Sequence, residues 1–77
     1  METILNQVVE IIKETLEDKS ISPNLQSKVV DLKGWSSLNH IQFIASVENH
    51  FHIRFAFAEM LEWETLEDLV QLIERKI

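Results

Sequence analysis

The chain has 77 residues, no cysteine, and 13 acidic against 7 basic side chains, for a formal net charge of -6. A core of this size supplies only about 3–5 kcal/mol, which leaves no room for a second domain or a deep enclosed active site and argues against a self-sufficient enzyme. Without thiols there are no disulfides, thiolate metal sites or cysteine nucleophiles, and the negative balance favours basic proteins over nucleic acid or anionic membranes as partners.

Between residues 4 and 16, Ile4, Leu5, Val8, Val9, Ile12 and Leu16 recur at steps of three and four, with polar residues between them. This spacing predicts an amphipathic first helix with Thr3 as its N-cap. From Asp18 to Trp35 the period fails. The segment holds the only proline, Pro23, and the only glycine, Gly34, with Ser20, Ser22, Asn24 and Ser27 among them. It reads as a long loop with a short turn around residues 24–28, and Val29, Val30 and Leu32 suggest that it packs down on the core.

A second helix is expected from an N-cap at Ser36, with Ser37 in its first turn, to about His50. A short helical turn follows around residues 57–61. Thr65 then caps a last helix whose Leu66, Leu69, Val70, Leu72 and Ile73 form a buried face, and Asp68 completes a capping box. No alternating strand pattern of useful length, repeat or low-complexity tract occurs. The expected fold is all-α: one domain over residues 1–77, a bundle of three main helices plus a short one, with a long first loop. No apolar run approaches the ~20 residues of a membrane span and no charged-then-apolar leader is visible, so a monomeric cytoplasmic protein without membrane insertion is expected.

At about 100° per residue, Phe43, Val47 and Phe51 share one sector of the second helix, with Ile44 at its edge and His40 inside it. That sector faces the core. Leu38, Ile41 and Ala45 form a second apolar sector nearly opposite, bordered by Gln42, Glu48 and Asn49. Two readings of this stripe stay open: an exposed docking surface, or a contact beneath the long loop. Ser37 stands at its N-terminal end, where unpaired N–H groups and the helix dipole favour an anion such as a phosphate ester.

The run Gly34-Trp35-Ser36-Ser37-Leu38-Asn39-His40-Ile41, followed by Glu48, Phe51, Ile53 and Phe55, resembles the signature of acyl carrier proteins. In that family a Gly-x-Asp-Ser-Leu motif opens the second helix, and the similarity extends over nearly the whole chain. The resemblance implies an acyl-carrier-like bundle whose Ser37 bears a 4'-phosphopantetheine arm, taken from coenzyme A and joined through a phosphodiester. The thiol of that arm would hold an acyl or aminoacyl group as a thioester, so reactive sulfur would come from a cofactor. The implied partners are a phosphopantetheinyl transferase and acyl-loading and acyl-processing enzymes. The implied docking residues are Ser36, Leu38, Ile41, Gln42, Ala45 and Glu48, and the candidate walls of an acyl pocket are Phe43, Val47, Met60 and Trp63. Ser36 departs from the family pattern, which has Asp before the modified serine. It keeps the capping oxygen but loses the charge that helps a basic transferase recognise its substrate, and Ser36 is itself a less favoured acceptor.

Acidic charge is sparse along the second helix and dense from Glu59 to Asp68, where five acids and no bases fall within ten residues. A solvated surface is the ordinary reading of such a run, and a site for a basic partner the alternative. Ser37 and His40 lie one turn apart but lack the orienting acid and oxyanion donors of a hydrolase. His50 and His52 lack a third metal ligand in sequence reach. The reading is therefore a non-enzymatic carrier of a specialised fatty-acid, polyketide or related pathway. Its alternative is a carrier-like helical domain that lacks the arm and serves in protein interaction, and a helix-turn-helix DNA binder is opposed by the charge.

Overall fold

Apolar residues at helical spacing wind the start of the chain into α1 (Glu2–Leu16), in the computed structural model, which describes residues 2–77. A turn of 3-10 helix (Val29–Asp31), α2 (Ser37–Phe51), α3 (Phe57–Glu62) and α4 (Leu66–Lys76) follow, and no strand occurs among the described residues. Val8, Ile11 and Ile12 of α1 meet Phe43, Ile44 and Val47 of α2 and Leu66, Leu69, Leu72 and Ile73 of α4 in one core. Val29, Ile53, Phe55 and Trp63 close it from the connections. Each such side chain contributes about 1.5–3 kcal/mol over an exposed one. That sum is what holds helices too short to stand alone in water.

The N-terminus of α4 explains why the long loop is held down. The N–H of Leu66 donates to the carbonyl of Ser27 and that of Glu67 to the carbonyl of Leu25, both at 2.9 Å. Two first-turn donors that no helical carbonyl can reach are thus satisfied by the loop. The loop is shaped for this locally: Asn24 Oδ1 accepts from the Gln26 N–H, and Ser27 Oγ accepts from the Asn24 N–H, both at 2.9 Å. The cap of α4 forms as the spacing predicts. Thr65 Oγ1 accepts from the Asp68 N–H at 3.3 Å, and Asp68 Oδ2 accepts from the Thr65 and Glu64 N–H groups at 3.2 Å.

Two local expectations are corrected, and the placement of one aromatic side chain stands beside them. Thr3 lies inside α1 rather than capping it, because the helix begins at Glu2. Val30 is exposed while Val29 is buried, since successive residues of a 3-10 turn point about 120° apart and only one can face the core. Phe57 is 74% exposed although its neighbour aromatics Phe55 and Trp63 are buried. In six-residue α3 the half-buried positions are Glu59 and Met60, which leaves Phe57 and Leu61, four residues apart, on the outer face.

Candidate functional site

The site begins with a turn. The Trp35 N–H donates to the Leu32 carbonyl at 3.1 Å, and Gly34 at the third position has φ 85°. A positive φ at this position of a turn is the reason for glycine here. The turn delivers Ser36 as the N-cap of α2 and makes a reciprocal box with Asn39. Ser36 Oγ accepts from the Asn39 N–H at 3.2 Å, while Asn39 Oδ1 accepts from the Ser36 N–H at 3.1 Å and from its hydroxyl at 2.7 Å. Asn39 Nδ2 also donates to the Thr15 carbonyl at 3.3 Å, which ties the start of α2 to the end of α1.

Ser37 is consequently the first residue of α2 and is exposed. The N–H groups of Ser37 and Leu38 lie in the turn that no intrahelical carbonyl serves, at the positive end of the helix dipole. No acid occupies the first turn. An anion joined to Ser37 Oγ is therefore stabilised by the helix and repelled by no carboxylate of that turn.

Beside Ser37 lies a depression of about 610 Å³ lined by Val30, Trp35, Ser36, Ser37, His40 and Ile41. A second, of about 250 Å³, is lined by Lys28, Val29, Val30, His40, Trp63 and Glu64. The two share Val30 and His40. His40, expected among the core residues, is half-buried at the core's rim. Its ring stacks on Trp63 with centroids 5.6 Å apart and planes 11° apart, and meets the Trp35 ring edge-on at 6.2 Å. Trp35 and His40 occupy the positions of a hydrophobic staple, immediately before the cap and four residues into the helix. Phe43 supports both indoles, at 5.6 Å from Trp35 and 6.2 Å from Trp63.

The stripe on α2 is open to solvent: Leu38 is 64% and Ile41 68% exposed, and Gln42 and Ala45 are exposed beside them. The loop does not cover it. Glu48 behaves differently from the other docking candidates. It is half-buried, and its Oε2 accepts from the Phe55 N–H at 2.8 Å, so the only acid of α2 is engaged in holding the α2–α3 connection. Among the pocket-wall candidates, Phe43 and Val47 are fully buried, Met60 is half-buried against the core, and Trp63 alone lines one of the two depressions near Ser37.

The family model described as "Phosphopantetheine attachment site" matches residues 6–73. The chain belongs to the acyl carrier protein family. It is a carrier rather than an enzyme, and covalent 4'-phosphopantetheine is its cofactor. The solved holo acyl carrier protein of Geobacter metallireducens superposes with a TM-score of 0.84 at 30% identity, over 94% of this chain and 83% of that one. A candidate acyl carrier protein from Mycobacterium tuberculosis shares the fold, with a TM-score of 0.82 at 21% identity over 94% of this chain and 96% of that one. Comparison with curated proteins returns no match. Among the described residues, no helix of the carrier is long and apolar enough to cross a membrane, and no group of three or more His, Asp or Glu side chains is placed to hold a metal.

Three acids of the carrier's acidic run, Glu59, Glu64 and Asp68, have partners within the fold. Glu59 Oε1 pairs with Lys76 Nζ at 2.8 Å and accepts from the Ala56 N–H at 2.8 Å, and these bonds hold its carboxyl below its ordinary value. Asp68 is lowered by its bonds from the Thr65 and Glu64 N–H groups. Glu64 reaches Lys28 at 3.9 Å. Residues that sequence reasoning missed are Asn39 and Trp35. The Ser-x-x-Asn spacing could have marked Asn39 as the partner in a capping box, but its bond to Thr15 depends on how α1 and α2 pack.

Proposed function

We propose that Ser37 is the attachment residue and that this chain carries acyl or aminoacyl groups as thioesters in a specialised fatty-acid, polyketide or related pathway of the cytoplasm. The exposed hydroxyl of Ser37 at the first position of a firmly capped α2 is the observation that carries the reading. When bound, the arm supplies the thiol that a chain without cysteine lacks. Ser37 needs no base of its own, because the phosphopantetheinyl transferase supplies the activation. The α2 dipole stabilises the phosphodiester charge, and Asn39 and Ser36 fix the turn that presents it. Leu38, Ile41, Gln42 and Ala45 offer the transferase and the acyl-loading and acyl-processing enzymes an apolar surface. With Glu48 turned to Phe55, such partners have little anionic surface to read on α2, which favours dedicated enzymes over those of a housekeeping pathway. The apolar part of the cargo is received beside Trp63, with Phe43, Val47 and Met60 behind it.

The test is incubation with a transferase, Mg²⁺ and coenzyme A, read by intact mass. The chain and Ser36→Ala gain one phosphopantetheine, and Ser37→Ala gains none. A Ser37→Ala variant that is still modified removes the assignment. Failure of the chain to accept the arm under conditions where Ser36→Asp accepts it supports the second reading, an interaction domain without the arm, which the Ser36 substitution favours.

A further inference from the structure

The indole Nε1–H groups of Trp35 and Trp63 are both buried and both without a hydrogen-bond partner. Trp63 as a whole is 8% exposed. An unpaired buried donor destabilises a fold, and native proteins carry few of them. Phenylalanine would fill much of either place without an orphaned N–H. Here two such donors belong to one aromatic cluster about His40, and Trp35 and Trp63 are each among the residues lining one of two depressions that share Val30 and His40, the first of which also includes Ser37.

Building on the carrier reading above, we propose that these depressions form a receiving groove for a carbonyl oxygen borne by the arm or its cargo, with the Trp35 and Trp63 indoles as its donors. The groove starts at the attachment residue, so a group tethered to Ser37 reaches it without leaving the protein. Val30 and Ile41, both 68% exposed, offer apolar contact to methylene groups along it. Val30 and His40 line both depressions and form their shared rim. Val30 is a surface side chain and His40 is only half-buried, so both can yield without disturbing the core. The chemistry selected is an acceptor of carbonyl type, whether an amide of the arm, the thioester, or a keto group of the cargo. A purely hydrocarbon acyl chain has nothing beyond the thioester to offer these donors.

The chain has two tryptophans, so an amide-labelled sample gives two indole N–H signals, assigned with Trp35→Phe and Trp63→Phe, which keep an aromatic ring in the core. Spectra are compared for the apo protein, the holo protein, and the butyryl- and acetoacetyl-loaded forms, each verified by intact mass. The expected result is a downfield move of at least one indole proton on loading. A move in the holo form assigns the acceptor to the arm's amides, one in both loaded forms to the thioester, and one in the acetoacetyl form alone to the keto oxygen. Indole protons that stay in place or move upfield in every verified form overturn the groove while leaving the carrier reading standing. A mass that never leaves the apo value removes the carrier reading, and the groove with it.

Discussion

Asn39→Ala tests whether the frame around Ser37 is held by the box that the geometry shows. The substitution removes the acceptor that bonds the Ser36 N–H at 3.1 Å and its hydroxyl at 2.7 Å, and the donor that reaches the Thr15 carbonyl at 3.3 Å. Ser36 Oγ can still accept from the residue 39 N–H, so only half of the box is lost. Loss of capping costs about 1 kcal/mol, and the longer bond to α1 adds about 0.5 kcal/mol. The better helix propensity of alanine returns about 0.5 kcal/mol. The expected net destabilisation is about 1 kcal/mol, or a fall in Tm of about 4–8 °C for a domain of this size. Asn39→Asp keeps the acceptor and places a negative charge in the first turn, so it should recover most of the capping share but not the bond to Thr15. Thermal and urea unfolding followed by circular dichroism at neutral pH measure both variants. An Asn39→Ala loss below about 0.5 kcal/mol, the range of an ordinary surface change, would show that the box does not support α2.

Chemically identical side chains should respond very differently: Phe43→Ala, at a fully buried position, costs about 3–5 kcal/mol, as much as the whole core supplies, and should leave the chain largely unfolded by circular dichroism, whereas Phe57→Ala stays within about 0.5 kcal/mol by urea titration. Glu59 and Asp68 have carboxyl values lowered in the fold, by the Lys76 bond first for Glu59 and by backbone N–H bonds for Asp68. Their contribution is complete above the ordinary carboxylate values of 4.5 and 3.8 and is lost as pH falls through the lower folded values. Urea midpoints measured on acidification should therefore drop across that window, and the drop should shrink in the Glu59→Gln, Asp68→Asn double variant; an equal drop in the variant would locate the acid sensitivity elsewhere. Ser36→Asp should leave stability within about 0.5 kcal/mol, since both residues cap well, while raising the initial rate of labelling from coenzyme A. An unchanged rate would mean that the transferase does not read charge at this position.

How far the molecule could be read from its residues depended on whether the deciding interactions were local. Helical spacing located α1, α2 and α4, α3 was expected only as a short turn, and the caps at Ser36 and Thr65 were legible because the bonds of a capping box lie within four residues. The turn and helix start that present Ser37 were legible for the same reason, since Gly34 and Ser36 build them from their own backbone and side chains, whereas the attachment role proposed for Ser37 came from the resemblance of the motif to a family. Packing between distant segments decided the rest. Periodicity identified Leu38, Ile41 and Ala45 as a second apolar sector, but only the path of the loop, drawn to α4 by the Leu25 and Ser27 carbonyls, left that sector open. Periodicity put Glu48 at the border of that sector and composition read the Glu59–Asp68 run as a solvated surface; Glu62, Glu64 and Asp68 are indeed exposed, whereas only packing shows that Glu48 is bonded to the Phe55 N–H and Glu59 to Lys76. Trp35, His40 and Trp63 are separated by five and 23 positions along the chain. Their stacking beside Ser37 exists only because the core brings the start of α2 against the segment before α4. Local hydrogen bonding and apolar period thus determine the helices and the motif, while the burial of one shared core determines which groups remain for a cargo or a partner to meet.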